Sequence, residues 1–147
     1  MAAKKIKAVS FKITEDNSDQ VLSELAKATK RALTIIGMNA EKYAKALCPV
    51  GTSESTGKKG YRGGTLRNSI THHVDEDSVS IGSNVEYAPY VELGTGPYFV
   101  APPSWEKFET PRPSGIGHAY VRPRPYLRPA IEDHMSEYKQ IIKDELT

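Results

Sequence analysis

The chain has 147 residues, 38% of them hydrophobic, with 20 basic and 18 acidic side chains and a formal net charge of +2. That length suits one domain with a modest core, which leaves room for long loops or for surface completed by a neighbouring subunit, and so even a balance argues against the concentrated basic surface of a nucleic-acid binder. The single cysteine, Cys48, excludes an internal disulfide, and no run of about 18 apolar residues is present to cross a membrane, so the expectation is a soluble protein of a reducing cytoplasm.

The opening KKIKAVSFKIT alternates Ile6 and Ala8 with, after a phase shift, Phe11 and Ile13, which reads as a short strand bulged at Val9-Ser10. The polar stretch EDNSDQ offers helix caps. From Ser18 to Leu47 the period becomes helical: Leu22, Leu25, Ala26, Ala32, Leu33, Ile36, Ala40, Tyr43, Ala44 and Leu47 fall on one stripe. Glu41 and Lys45 form a favourable pair four residues apart. Gly37 interrupts the helix at a cost of about 1 kcal/mol and predicts a bend or a close packing there. Pro49 ends it, because the residue before a proline is pushed out of the helical region.

Residues 51–64, GTSESTGKKGYRGG, read as a flexible loop. Then LRNSITHHV, with Leu66, Ile70 and Val74 on one side, and SVSIGS, with Val79 and Ile81, flank a DED turn and predict a β-hairpin. YAPYVELGTG is open to two readings. Strand alternation aligns Tyr87, Pro89, Val91 and Leu93. Helical spacing, the reading preferred, uses Asn84 as an upstream cap and Gly94 as the terminator. Residues 97–126 carry most of the prolines together with Tyr98, Phe99, Trp105 and Phe108. An irregular arm that long and that aromatic either folds back on the core or packs against another subunit. Pro129 is expected as a first helical residue with Glu132 and Asp133 in the first turn, and Leu127, Ile131, Met135, Tyr138 and Ile142 mark the apolar face of one C-terminal helix. The fold class is α+β: a small antiparallel sheet packed against a long N-terminal helix and a C-terminal helix, all in one domain over residues 1–147.

Little here suggests catalysis. Gly94-Thr95-Gly96 lacks the spacing of a phosphate loop, and Pro97 removes a backbone donor that a phosphate would use. His72 and His73 are adjacent on a strand and face opposite ways, so they make a poor metal site. Cys48 lies at a helix C-terminus, whose dipole disfavours a thiolate. No cofactor is expected. Two basic clusters, Lys58, Lys59, Arg62 and Arg67, and then Arg112, Arg122, Arg124 and Arg128, leave a small DNA-binding module over loops 58–67 and 112–128 as the alternative reading.

Four ordered motifs carry a resemblance. Pro49, Val50 and Thr52; Leu66, Arg67, Ser69 and Ile70; Tyr87, Ala88, Tyr90, Val91, Glu92, Gly94 and Thr95; and Tyr126, Leu127, Arg128, Pro129 and Ala130 match in sequence the pattern of the tail-component family of long-tailed bacteriophages. The chain departs from that pattern where Gly51 replaces an aspartate, in the stretched link 53–64, and in the long arm. The resemblance implies a structural virion protein rather than an enzyme, similar to neck, tail-completion or terminator proteins of the head–tail junction. It further implies a ring of identical copies, six-fold as a rule, assembled in the host cytoplasm beside other neck, head-closure or tail-tube proteins. DNA would slide through the channel without sequence-specific binding, and no membrane is involved. At the Tyr87–Gly96 corner, Tyr87 and Val91 are expected to anchor the chain to the core, Gly94 to turn it, and Thr95-Gly96 to launch the arm toward a neighbour. Arg67 and Arg128 are expected to pair with Glu92. Tyr90, Trp105, Tyr126 and Pro129 complete the set of structural and interface candidates.

Overall fold

The computed structural model describes residues 12, 15–60, 62–100 and 120–147. The strand expected at the N-terminus and Trp105 in the arm lie outside the described residues. In chain order the elements are α1 (Ser18–Leu47), α2 (Ser53–Thr56), α3 (Thr65–Ser69), β1 (Ile70–Val74), β2 (Val79–Ser83), α4 (Ala88–Leu93), a 3-10 turn (Gly96–Tyr98), α5 (Leu127–Glu132) and α6 (Met135–Leu146). This is the expected α+β arrangement, with α1 as the spine.

Helix α1 begins where the cap residues predict. The Asp16 carboxylate accepts from the Ser18 backbone N–H at 3.0 Å and from its hydroxyl at 2.5 Å, and those two bonds hold its carboxyl below the usual range. The helix ends at Cys48, which is extended at φ −63, ψ 124, as a residue before proline should be. Its apolar stripe is covered only in part. Ala32, Leu33, Ile36, Ala40 and Ala44 are buried, whereas Leu22 at 62%, Leu25 at 48% and Leu47 at 48% stay exposed. The periodicity is therefore right and the covering is shorter than the stripe.

The hairpin pairs antiparallel, with Ile70 opposite Ser83, His72 opposite Ile81 and Val74 opposite Val79. It packs on α1 across Gly37, where an added Cβ would lie 2.6 Å from the His72 ring and 2.9 Å from a Val79 methyl. Gly37 thus serves close packing and the helix runs on through it. The His72 Nδ1–H also donates at 2.5 Å to the Glu41 carboxylate, which pairs in turn with Lys45. Those hydrogen bonds, from Lys45 first and then His72, hold the Glu41 carboxyl below its ordinary value.

Two boundaries differ from the sequence reading. The first strand was expected to include Leu66, but residues 65–69 form a helical turn in which the Ser69 hydroxyl donates to the Leu66 carbonyl at 2.7 Å. Leu66 and Ile70 are four apart, a spacing that places both on one face of a helix as well as of a strand, and both are buried. At the other end, one C-terminal helix is in fact two. Pro129 occupies the third helical position of α5, and Asp133 and His134 separate α5 from α6. The covered face runs through Leu127, Ala130, His134, Tyr138 and Ile141, so Ile131, Met135 and Ile142, expected on the apolar face, are exposed instead. His134 at the break stacks on Tyr43 of α1, with ring centroids 3.5 Å apart and planes 3° from parallel. Glu137 then accepts from Tyr43 at 2.8 Å and from Asn39 at 3.0 Å, tying α6 to α1. In the loop read as flexible, α2 forms one turn with a capping box between Thr52 and Ser55.

The core has two parts along α1. Ala44, Cys48, Leu66, Ile70, Ala88, Tyr126 and Ala130 meet at its C-terminal half, and Ile36, Ala40 and Tyr138 meet farther back. The first of these carries the functional corner.

Candidate functional site

The corner starts at α4. Pro89 falls in the first turn, where a missing N–H costs nothing. Tyr87 is the N-terminal flanking residue and no side chain caps the helix, so Asn84 does not play the expected part. Ala88 and Leu93 bury the helix against the core, and Val91 packs beside them. Tyr87, expected as a core anchor, is 46% exposed; the small Ala88 lies closer to the core and takes that place.

Beyond α4, Gly94 adopts φ +77 and ψ −175, a conformation essentially closed to side-chain-bearing residues. The chain then holds its own return. Thr95, buried, donates its backbone N–H to the Val121 carbonyl at 2.9 Å, and its hydroxyl accepts from the Val121 N–H at 2.8 Å. The Val100 N–H donates to the Leu93 carbonyl at 2.9 Å, and the Arg124 N–H to the Val91 carbonyl at 2.7 Å. The Arg122 guanidinium lies 5.1 Å from the centre of the Tyr98 ring, a cation–π contact between the outgoing and returning strands. The two ends of the arm are thereby clasped side by side.

Glu92 completes the clasp in an unexpected way. Its carboxylate accepts from the backbone N–H groups of Tyr126 at 2.7 Å, Leu127 at 3.0 Å and Arg128 at 3.0 Å. A helix start leaves four backbone donors without intrahelical partners. For α5 those positions are 126 to 129, and the fourth is Pro129, which has no N–H. One carboxylate 34 residues upstream therefore satisfies every orphan donor of α5, at the positive end of that helix. The expected ion pairs are replaced by this arrangement: among the described residues neither Arg67 nor Arg128 makes a salt bridge to Glu92. Three converging amides take three of the roughly four acceptor sites of the carboxylate, which leaves room for at most one further donor. Arg67 projects from α3 as an exposed side chain, and Tyr90 is half-buried with its carbonyl accepting from the Gly94 N–H at 3.0 Å.

Beneath the clasp lies Tyr126, fully buried, its hydroxyl without a hydrogen-bond partner. Burial foremost pushes its phenol up to about 12. Tyr138, also buried, is pushed up to about 12, yet its hydroxyl donates to the Ala130 carbonyl at 2.6 Å. Opposite outcomes are expected from the same substitution. Tyr126→Phe removes an unsatisfied hydroxyl and should stabilise by about 1 kcal/mol, while Tyr138→Phe should destabilise by about 1–2 kcal/mol, as read in urea denaturation. Both phenols have folded values above the unfolded one, so their contribution to stability is complete below pH 10 and is lost as pH rises toward about 12. Tyr126→Phe should therefore flatten the alkaline fall in stability.

The chemistry of the corner is that of a structural joint. Cys48 beside it is buried, which raises its thiol above the ordinary value and keeps it an inert thiol. His72 and His73 point to different partners, Glu41 and Asp75, and no group of metal-ligating side chains occurs among the described residues. No helix among them is long and apolar enough to cross a membrane. The backbone partners Val91, Leu93 and Val121, and Pro123 packed on Gly94, had no signal in the sequence, because such contacts depend on the path of the chain and not on side-chain type.

The family model described as "Bacteriophage HK97-gp10, putative tail-component" matches residues 4–94. No curated protein and no solved structure matches the chain. The family match thus covers α1 through α4 and Gly94, one half of the clasp, whereas the partners at 121–128 lie beyond it.

Proposed function

The chain belongs to the HK97 gp10-like family of bacteriophage tail components, and from that premise we propose that it is a structural protein of the head–tail junction, acting in the neck, in tail completion or in tail termination. Copies assemble in the host cytoplasm as a ring, six-fold by family resemblance, around the channel through which DNA passes, beside head-closure or tail-tube proteins. The observation that carries this reading is the clasp. It closes the body around Glu92 and Thr95 and holds residues 95–100 and 121–128 together through hydrogen bonds, a fixed base of the kind a contact with a neighbour requires. Exposed Tyr87, Tyr98 and Tyr120 around that base supply the aromatic surface that interfaces favour. The near-even charge suits a channel in which DNA slides without tight phosphate binding.

The test uses phage particles made without the protein and with a chain whose residues 101–119 are replaced by a short glycine linker. Free heads and free tails accumulating together would mark a joining role, and tails of uncontrolled length a terminating one. The shortened chain keeps the Thr95–Val121 and Val91–Arg124 bonds of the stem and should fold, yet fail to restore infectious particles. Normal particles from the shortened chain, or tight duplex binding that falls steeply with salt, would overturn the reading.

A further inference from the structure

Helix α1 carries its core stripe farther than its covering reaches. Ala28 is its first buried residue, and the last tie from α6 is the Glu145 carboxylate accepting from Arg31 at 3.2 Å. The ten residues from Ser18 to Lys27, about 15 Å of helix, are all exposed and precede the first tie to another described element. Val21, Leu22 and Leu25 on that stretch are 61%, 62% and 48% exposed, and they are in phase with Ala32, Ile36 and Ala40 farther along. Around them Glu15, Asp16, Asp19 and Glu24 are all exposed, with Glu24 paired to Lys27 at 3.0 Å and Lys12 exposed at the other side, so residues 12–27 hold four carboxylates against two ammonium groups. The stretch is thus a net acidic end with an apolar stripe.

The other end of the same helix has the opposite character. Leu47 and Val50 are exposed there; the Arg67 charge reaches Cys48 at the helix end, and the Gly63 N–H donates to the Gly51 carbonyl at 3.2 Å, which sets Arg62 beside the Val50 stretch, both arginines being exposed and only partly offset by Glu54. Each copy therefore holds an acidic apolar end and a basic apolar end, separated by a helix of 30 residues, or about 45 Å.

We infer that the acidic end of α1 in one copy seats on the basic end around Arg62 and Arg67 in a second copy. Complementary charge fixes the orientation, and the apolar residues on both sides provide the buried area. Because the two surfaces are unlike and lie far apart on one chain, the contact is head-to-tail and repeats from copy to copy, which closes into a ring when the rotation allows. This deepens the ring reading above and rests on it.

Charge reversal of the full chain, followed by sedimentation velocity over a concentration series at low salt, is the experiment. Asp16→Lys with Asp19→Lys should weaken association about 10-fold or more, and Arg62→Glu with Arg67→Glu should do the same. Both pairs combined in one chain should bring association back to within about 3-fold of the parent, because the charges match again. The chain with Arg62→Glu and Arg67→Glu should melt near the parent value, whereas Asp16→Lys with Asp19→Lys removes the Asp16 bonds to Ser18 and should melt a few degrees lower, so restored association in the combined chain is the deciding readout. Association untouched by either pair, or not restored by the combination, overturns the inference while a ring seen by electron microscopy leaves the ring reading standing. A Leu22→Asp chain that melts lower with unchanged association would show that the stripe is covered within its own copy, and would also overturn it. A parent chain that forms no oligomer in solution or on tails removes the ring reading itself, and this contact with it.

Discussion

Replacing Glu92 by alanine is expected to lower the free energy of unfolding by roughly 3–5 kcal/mol, a large share of the stability of a domain of this size. Three backbone amides converge on its carboxylate, at 2.7, 3.0 and 3.0 Å. Each hydrogen bond to a charged acceptor contributes about 1.5–3 kcal/mol, and their sum is reduced because the three share one group. Alanine leaves the donors of Tyr126, Leu127 and Arg128 without partners beside a core that includes buried Tyr126 and Ala130. Glutamine keeps one acceptor oxygen and loses the charge, so Glu92→Gln should fall between the two, at about 1–3 kcal/mol. Urea denaturation gives the magnitudes, and hydrogen exchange gives the location. The amides of residues 126–128 should lose protection in Glu92→Ala before those of the hairpin at 70–83 do. Equal loss across the hairpin and α5 would mean that Glu92 acts on the whole body and not as the cap of one helix.

That cap shows where the sequence speaks plainly and where it does not. The 30-residue helix, both hairpin strands and the short α4 follow from periodicity, proline placement and turn chemistry, all of which act between near neighbours. Leu66 went to the wrong element because a spacing of four serves a helix and a strand alike, and only Gly64, at φ +119, with Ser69 bonded back to Leu66, decides for the helical turn. The site was legible as a group of residues and not as an arrangement. Glu92, Arg128 and Pro129 stood out together, yet opposite charges suggested a side-chain pair, whereas the free backbone donors of α5 offered three bonds in place of one. Pro129 held the clue: it leaves α5 with three donors to satisfy, a number that one carboxylate can meet. The exposure of Leu22 and Leu25 could not be read at all, since periodicity reports which face a residue shares and says nothing of what covers that face.

Gly94→Ala should cost about 3–4 kcal/mol, from two separate causes. The residue sits at φ +77 and ψ −175, where a side chain adds roughly 1–3 kcal/mol of backbone strain. Its Cβ would also lie 2.8 Å from the Pro123 Cδ, 2.9 Å from the Tyr98 carbonyl oxygen and 3.0 Å from the Pro123 nitrogen. Two of those three atoms are backbone, and the strands bearing them are fixed by the Val121–Thr95 and Arg124–Val91 hydrogen bonds, so neither can withdraw without breaking the clasp. Gly57 provides the control. It is left-handed at φ +66, but an added Cβ meets nothing within 4 Å, so Gly57→Ala should cost only about 1 kcal/mol. Equal costs at the two positions in chemical denaturation would show that Pro123 does not close on the corner. Because Gly94 and Glu92 hold the same returning segment, the double substitution should cost less than the sum of the singles: once either change has freed residues 121–128, the other has less left to release.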